Sequence, residues 1–500
     1  MIKTKNTGAY AGIVGMQNKK NGVCSAVAGC FAKVGGAYRN VLVTPGTARL
    51  LNVGTNQRWL GGIIGPVSNP IPASTDTPES IFRQPTSIGS GDARNLRLFW
   101  PTWGNGNNGD EPLGAFQIDS SALEFNGATA KVTYGGVEKR QVLEGEMTTI
   151  IGQPQPVAGV LSDPITPAQL LAAFGKDRLN RGDKVWKRGR MIRADRTVHY
   201  GITRLMSQDT SGASFRFKAD SVNAIPDVYA TGPMTMTRTG AVGTLYSEAS
   251  GYDPILLGEF VNEAGIIVLG LFGASMEHGA TDTAWTAPMN SGRGMMRATF
   301  DKDGVSNPYA GLVVAASGNG LDDMTGPNKR SYCTVAWMTD LELSPGGNDL
   351  GSADATSDVA KYAGIQTNLR GLYADLRAIN PMIKLFVLSK PPSTVSTDGY
   401  ITDINQTPGT EYGEGQKVET LYRDWLLGQV GVAGGIDAVI DPPEMHWPGK
   451  RWLWGNAAGM PASLDGAALG APANQNHPGT NQYKLIARDI RAFCGMPPWA

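Results

Sequence analysis

Residues 266–279 read IIVLGLFGASMEHG. From Ile266 to Phe272 the run is apolar apart from one glycine and shows no polar alternation, the pattern of a strand buried on both faces. It breaks at Gly273 and delivers Ser275 into a polar turn closed by Gly279. GLVVAAS (311–317), YCTVAWM (332–338) and IKLFVLS (383–389) repeat the apolar pattern. Between the last two, Tyr362, Ile365, Leu369, Leu372, Leu376 and Ile379 recur at three- and four-residue steps, and Asn380-Pro381 ends the periodicity. That spacing predicts an amphipathic helix stopped by proline. VETLYRDWLLGQV (418–430) and QYKLIARDIRAF (482–493) predict two more. Buried strands alternating with amphipathic helices imply an α/β fold, a parallel sheet wrapped by helices, with ligands at the carboxyl ends of the strands.

Working outward, the texture changes. Residues 1–95 are rich in Gly, Pro, Ser, Thr and Asn and read as an arm or a small β region. Residues 96–250 carry short β-prone runs closed by turn residues: ALEFNGATAKVTYGG (122–136), RQVLEGEMTTIIG (140–152), RTVHYGITRLM (196–206) and ASFRFKAD (213–220). These predict a β-sandwich-like module. Within it Thr166, Pro167 and Gly175 punctuate one short helix as cap, first residue and stop. GKDRLNRGDKVWKRGRMIRADR (175–196) is strongly basic. As a patch it would suit an acidic glycan or nucleic acid, with Trp186 stacking, but Asp177, Asp183 and Asp195 interrupt it, and a solvated surface is the preferred expectation. Residues 251–500 form the α/β half.

The chain has 500 residues, with 44 acidic and 44 basic side chains, so no global field favours a nucleic-acid partner. With 65 glycines and 31 prolines, many turns and short strands are expected. Of the four cysteines, Cys24 and Cys30 are close enough to pair or to be small buried thiols. The N-terminus lacks a sustained apolar segment, so no signal peptide is expected, and no run approaches the roughly 18 apolar residues of a membrane span. Localisation is therefore open between virion-associated and extracellular.

The polar turns after the buried strands hold the residue types that acyl transfer needs. Ser275 follows the first run, Gly318 lies in ASGNG after the second, and Asn348 lies in ELSPGGNDLG after the third. A serine hydroxyl needs an imidazole to take its proton during attack. Of the four histidines, His199 falls in the β module, His278 shares the turn of Ser275, and His446 sits in PPEMHWPG. His477, in ANQNHPGTNQY before the last helix, is best placed to reach a strand-end site. The N–H groups of Ser275 and Gly318, with the Asn348 amide, can receive the oxyanion.

LGLFGAS, AASGNG, PGGNDL and NQNHPG thus carry Ser275, Gly318, Asn348 and His477 in the order of the four blocks of the SGNH, or GDSL-like, hydrolase family, which residues 260–495 resemble. The resemblance implies a three-layer, flavodoxin-like α/β domain, a Ser-His mechanism and no metal or organic cofactor. The partner it implies is an acylated glycan or other ester substrate, with acetyl the expected acyl group. Two positions depart from the family pattern. Ala274 stands where Asp usually precedes the nucleophile, and Asn474 replaces the acid three residues before the histidine. Three outcomes stay open: a Ser275–His477 dyad, an acid recruited from elsewhere such as Asp465 or Asp441, or lost activity. A structural or receptor-binding component of a phage tail or virion, as a homo-oligomer or larger assembly with a degenerate hydrolase domain, is the alternative expectation. A lipid esterase is the third, with Trp447, Trp452 and Trp454 in a long loop segment available to an acyl chain.

Overall fold

The computed structural model describes residues 4–6, 9–13, 30–34, 37–40, 49–56, 79–106, 109–112, 114–150, 153, 155–192, 214–218, 227–233, 254–277, 294–299, 308–315, 320–321, 324, 330–344, 349, 359–389, 394–396, 406–408, 415–441 and 480–497. Its centre is a six-stranded sheet, wholly parallel, in the spatial order Ala438–Ile440, Lys384–Leu388, Asp340–Leu343, Val268–Gly273, Ala310–Ala315, Thr55–Asn56. Leaving aside the two-residue edge strand Thr55–Asn56, the other five follow the doubly wound order 2-1-3-4-5, the flavodoxin-like arrangement.

Both faces of that sheet are covered, which is why its strands are continuously apolar. One face carries Leu269, Leu271, Val313, Ala315, Phe386, Leu388 and Ile440 against Tyr483, Ile486, Ala487 and Ile490 of helix Thr480–Cys494. The other carries Val268, Phe272, Leu312, Leu341 and Leu385 against helices Val359–Ile379 and Gly415–Gln429 through Leu369, Leu372, Leu376, Tyr422 and Leu426. The last helix runs antiparallel to the strands. Phe493 packs on Phe386 with ring centroids 4.8 Å apart, and Cys494 lies against Asp340, the first residue of its strand. Its N-terminal end, Thr480, therefore points toward the carboxyl ends of the strands.

One expected strand is not one. YCTVAWM lies within the 3₁₀ segment Arg330–Trp337 and its exit, and the strand is the next segment, Asp340–Leu343. Tyr332, Val335, Ala336, Trp337 and Met338 are buried as expected, but a short apolar run does not distinguish a buried strand from a buried helical turn.

Two antiparallel sheets share the larger core with this unit. One orders Ala128–Lys131, Phe116–Phe125, Lys184–Ile192, Glu79–Ser87 and Ser214–Lys218, with Arg140–Val142 beside Phe116–Phe125. The other orders Met147–Thr148, Val157–Leu161, Ala93–Pro101, Ile255–Phe260 and Leu51–Asn52. Phe125 and Ala128 close a hairpin through Asn126 and Gly127, whose φ angles of 52° and 75° define the two-residue turn that suits twisted strands. The helix Pro167–Phe174 has the expected cap: Gln169 N–H donates to Thr166 Oγ1, the Gln169 side chain accepts from Thr166 N–H, and Gly175 closes it at φ 70°. A four-stranded antiparallel sheet occupies Thr4–Asn6, Ala9–Ile13, Cys30–Val34 and Ala37–Asn40, while Cys24 lies outside the described residues.

The antiparallel and parallel parts meet at the Gly89–Ser90 turn. Ser90 Oγ donates to Ile267 O and accepts from Ala310 N–H at 2.7 Å, and a Cβ at Gly89 would lie 2.3 Å from Ala310 N. The edge-on contact of Phe99 with Trp337, 4.8 Å between centroids, joins the same two parts.

The basic stretch corrects the expectation of a solvated face. Lys184–Ile192 is a central strand in which Lys187 and Arg188 are fully buried. Lys187 Nζ donates to Pro254 O at 2.9 Å, and Arg188 pairs with Glu124. The Arg83 guanidinium lies 3.6 Å over the Trp186 ring, so that ring is already stacked within the protein. Lys176 and Asp183 do pair at 3.0 Å as the acid spacing suggested. Trp100, Trp103 and Trp337 are fully buried core residues rather than a sugar-stacking surface.

Candidate active site

In the 2-1-3-4-5 order the strand Val268–Gly273 has Ala310–Ala315 on one side and Asp340–Leu343 on the other, so the chain's connections diverge at its carboxyl end. That divergence opens the crevice in which doubly wound sheets bind ligands. Ser275 stands there, two residues past the strand, in the turn 274–277, and is 8% exposed.

The turn is tied to the neighbouring strand by a side chain that the sequence reading passed over. Glu277 is fully buried. Its Oε2 accepts from Ala274 N–H at 2.6 Å, and its Oε1 accepts from the hydroxyl of Ser344, the first residue after Asp340–Leu343. Ser344 N–H in turn donates to Phe272 O at 3.2 Å. Residue 273 must be glycine for this to fit, since a Cβ there would sit 2.1 Å from Glu277 Oε2. Burial pushes the Glu277 carboxyl up to about 7, against the lowering effect of hydrogen bonds from Ser344 and the backbone amides of Glu277 and Ala274.

A second acid lies next to it. Glu342 pairs in register with Leu271 and Phe386, hence on the face covered by the last helix, and is fully buried with both carboxyl oxygens lacking a hydrogen-bond partner among the described residues. Burial, with a smaller contribution from Glu277, raises its pKa well above the usual carboxylate value.

A further carboxylate, downstream of Asp340–Leu343, is tied to residues downstream of Ala310–Ala315. Asp349 Oδ2 accepts from Leu321 N–H at 2.7 Å, and Gly320 leaves room for it, with a Cβ there lying 2.9 Å from Asp349 Oδ1. Two ties therefore stand among the described residues: the Ser275 turn to Ser344 through Glu277, and Asp349 to Leu321. Gly318 and Asn348 themselves, adjacent to these anchors in sequence, lie outside the described residues. So do Asn474 and His477, just before the helix that starts at Thr480, and His199, His278, His446, Asp465, Trp447, Trp452 and Trp454.

Asp441 follows the edge strand Ala438–Ile440, three strands from Val268–Gly273. At about 4.8 Å per strand, that is about 14 Å across the sheet. Its carboxylate accepts from Arg423 Nε and from Ser389 Oγ, each at 2.6 Å, a structural tie between helix and strand ends. Among the described residues no group of three His, Cys, Asp or Glu side chains could hold a metal ion.

The residues missed from sequence were Glu277, Glu342, Ser344 and Asp349. No signal marked the two glutamates: Glu277 falls in the polar turn of Ser275, and Glu342 opens ELSPGGNDLG, read as the turn after an expected strand at 332–338.

These elements define an α/β chain with a doubly wound parallel sheet and a buried serine at its switch point. No family model matches the chain, and no curated protein matches it. Among solved structures it is similar to the lipase Lip_vut3 from a goat rumen metagenome, at 13% identity over 47% of this chain and 100% of that one, with a TM-score of 0.30. It is also similar to an extracellular lipase from Streptomyces rimosus, at 15% identity over 45% and 99% of the two chains, with a TM-score of 0.29. A family two carbohydrate esterase from Clostridium thermocellum, solved in complex with cellohexaose, is similar at 11% identity over 82% and 97%, with a TM-score of 0.29. Likenesses this distant carry no weight for the chemistry of this chain, and the expectation of a virion component finds no support in them.

Proposed function

We propose that this chain is a serine ester hydrolase acting on an acylated carbohydrate, with acetyl as the acyl group. Ser275 Oγ attacks the ester carbonyl while His477 takes its proton and later returns it to the leaving alcohol. Asn474 stands at the position that orients the imidazole. The Ser275 and Gly318 N–H groups and the Asn348 side-chain amide hold the oxyanion, and water hydrolyses the acyl-enzyme. The observation that carries the reading is the buried Ser275 turn at the carboxyl end of Val268–Gly273, the switch point of the parallel sheet, tied to the end of the neighbouring strand through Glu277–Ser344. Support for a carbohydrate comes from the antiparallel β module packed against the same sheet through Ser90, an attached surface that a small ester does not require.

The test is hydrolysis of p-nitrophenyl acetate by wild type and Ser275→Ala. A loss of about 10³-fold or more in kcat/KM is expected, since removing a triad nucleophile leaves only oxyanion-hole and binding contributions. Equal inertness of the two proteins contradicts the enzyme reading and favours a structural component. Acetate released from an O-acetylated polysaccharide, compared with turnover of long-chain p-nitrophenyl esters, separates a glycan deacetylase from a lipid esterase.

A further inference from the structure

We propose that Glu277 is the positioning residue of the nucleophile turn: seated in the slot that Gly273 leaves open, its carboxyl clamps the Ala274 amide to the end of the neighbouring strand and so sets where Ser275 presents its Oγ and N–H. The claim deepens the esterase reading and stands on it.

The geometry is specific to an acceptor group. The two oxygens divide their work across the switch point, Oε2 taking Ala274 N–H on one strand end and Oε1 taking the Ser344 hydroxyl on the next. Ala274 is the residue before Ser275, so holding its N–H fixes the peptide plane from Gly273 to the Ala274 Cα, the point from which the backbone runs on to the serine. Ala274 has only a methyl group to offer, so the turn cannot brace itself from that position. Gly273 is the third residue on the strand face that carries Leu269 and Leu271, and its missing side chain is the space the carboxyl fills.

Packing alone does not account for this choice. A buried carboxyl with no cation among its hydrogen-bond partners in the described residues is a poor way to fill a slot, and an apolar side chain of similar volume generally does so at lower cost. What the carboxyl contributes that leucine cannot is a fixed acceptor for the Ala274 amide. Misplacing a reacting group by about 1 Å costs about 100-fold in rate.

The experiment compares wild type, Ser275→Ala, Glu277→Leu, Glu277→Gln and Gly273→Ala on p-nitrophenyl acetate, with thermal midpoints measured alongside. Glu277→Leu is expected to lower kcat about 100-fold with KM within about twofold, while its thermal midpoint equals or exceeds wild type. Glu277→Gln is expected to keep kcat within about fivefold, since its amide oxygen still accepts from Ala274 N–H and its NH₂ donates to Ser344 Oγ. Gly273→Ala retains Glu277 but drives its carboxyl from the slot, and is expected to fall with the leucine variant. It decides the matter if Glu277→Leu fails to fold. If Ser275→Ala is inert while Glu277→Leu and Gly273→Ala turn over like wild type, the positioning role is overturned and the esterase reading stands. If wild type itself is no faster than Ser275→Ala, the esterase reading fails, and the positioning role with it.

Discussion

Two buried glutamates on neighbouring layers have opposite fates. Glu124, in the antiparallel sheet, is 3% exposed and fully answered: Arg83 donates to both its oxygens at 2.7 and 2.8 Å, Gly232 N–H donates at 2.9 Å, and Arg188 adds a second side-chain partner. Burial pushes its pKa up, but the hydrogen bonds from Arg83, Gly232 and Arg188 outweigh burial and the net direction is down. Glu342, in the parallel sheet, is just as buried, has no hydrogen-bond partner among the described residues, and is driven far up. Its neighbour Glu277, bonded by neutral groups among the described residues, is also raised. The β module satisfies its buried charge and becomes a scaffold. The α/β unit carries poorly answered acids beside the nucleophile turn, where local conflict is expected to mark function rather than stability.

The largest effect should come from breaking the satisfied site. Glu124→Ala leaves Arg83 and Arg188 buried without their carboxylate, and a loss of about 3–5 kcal/mol is expected in denaturant unfolding of the intact protein. A change below about 1 kcal/mol would mean that the network is not the anchor described here.

The two acids should also give stability opposite slopes with pH. Glu277 has a folded pKa of about 7 against an ordinary value of 4.5, so between those limits the folded state binds more protons than the unfolded one. Its contribution is therefore most favourable below pH 4.5 and is lost as pH rises to 7, by about 3 kcal/mol in all. Glu124, whose pKa is lowered, contributes stability that is present above pH 4.5 and lost as pH falls through its folded value. Stability measured from pH 4 to 8 in wild type and Glu277→Gln should show the falling component vanish in the variant. An unchanged profile would show that Glu277 is ordinary.

A smaller effect is expected at Glu342. Glu342→Leu replaces an unanswered carboxyl among Leu271 and Phe386 with a side chain those neighbours accept, and should be neutral or stabilising by up to about 3 kcal/mol. A clear destabilisation would mean that Glu342 has a partner this account omits.

The smallest is local. Thr166→Ala removes the side-chain half of a capping box at an exposed helix end and should cost about 1 kcal/mol in thermal or chemical unfolding.

Sequence reading went far where local rules decide. The helix spacing from Tyr362 to Ile379, the cap at Thr166 and the apolar runs IIVLGLF, GLVVAAS and IKLFVLS each announce an element by period or punctuation, and the structure has them. From those runs the parallel sheet and the placing of Ser275 at a strand end were legible. YCTVAWM was not, because a short run of buried residues fits a 3₁₀ turn as well as a strand. Nor was Thr55–Asn56, two residues that join the sheet from over 200 positions upstream and have no pattern of their own. The antiparallel sheets draw on Glu79–Ser87 and Ile255–Phe260, stretches whose partners are fixed only by long-range pairing. Charge misled most. Lys187 and Arg188 looked like surface, and Glu277 and Glu342 looked like loop and strand edge, because whether a charge is buried depends on which strand arrives beside it.

The central claim is that Ser275 is an activated nucleophile at the switch point of the parallel sheet. Treating the intact protein with a fluorophosphonate and mapping the adduct by peptide mass spectrometry tests it directly. The account predicts a single stoichiometric adduct on Ser275, absent from Ser275→Ala and slowed in Glu277→Leu. No adduct on wild type, or one on another serine with Ser275 unmodified, would contradict it.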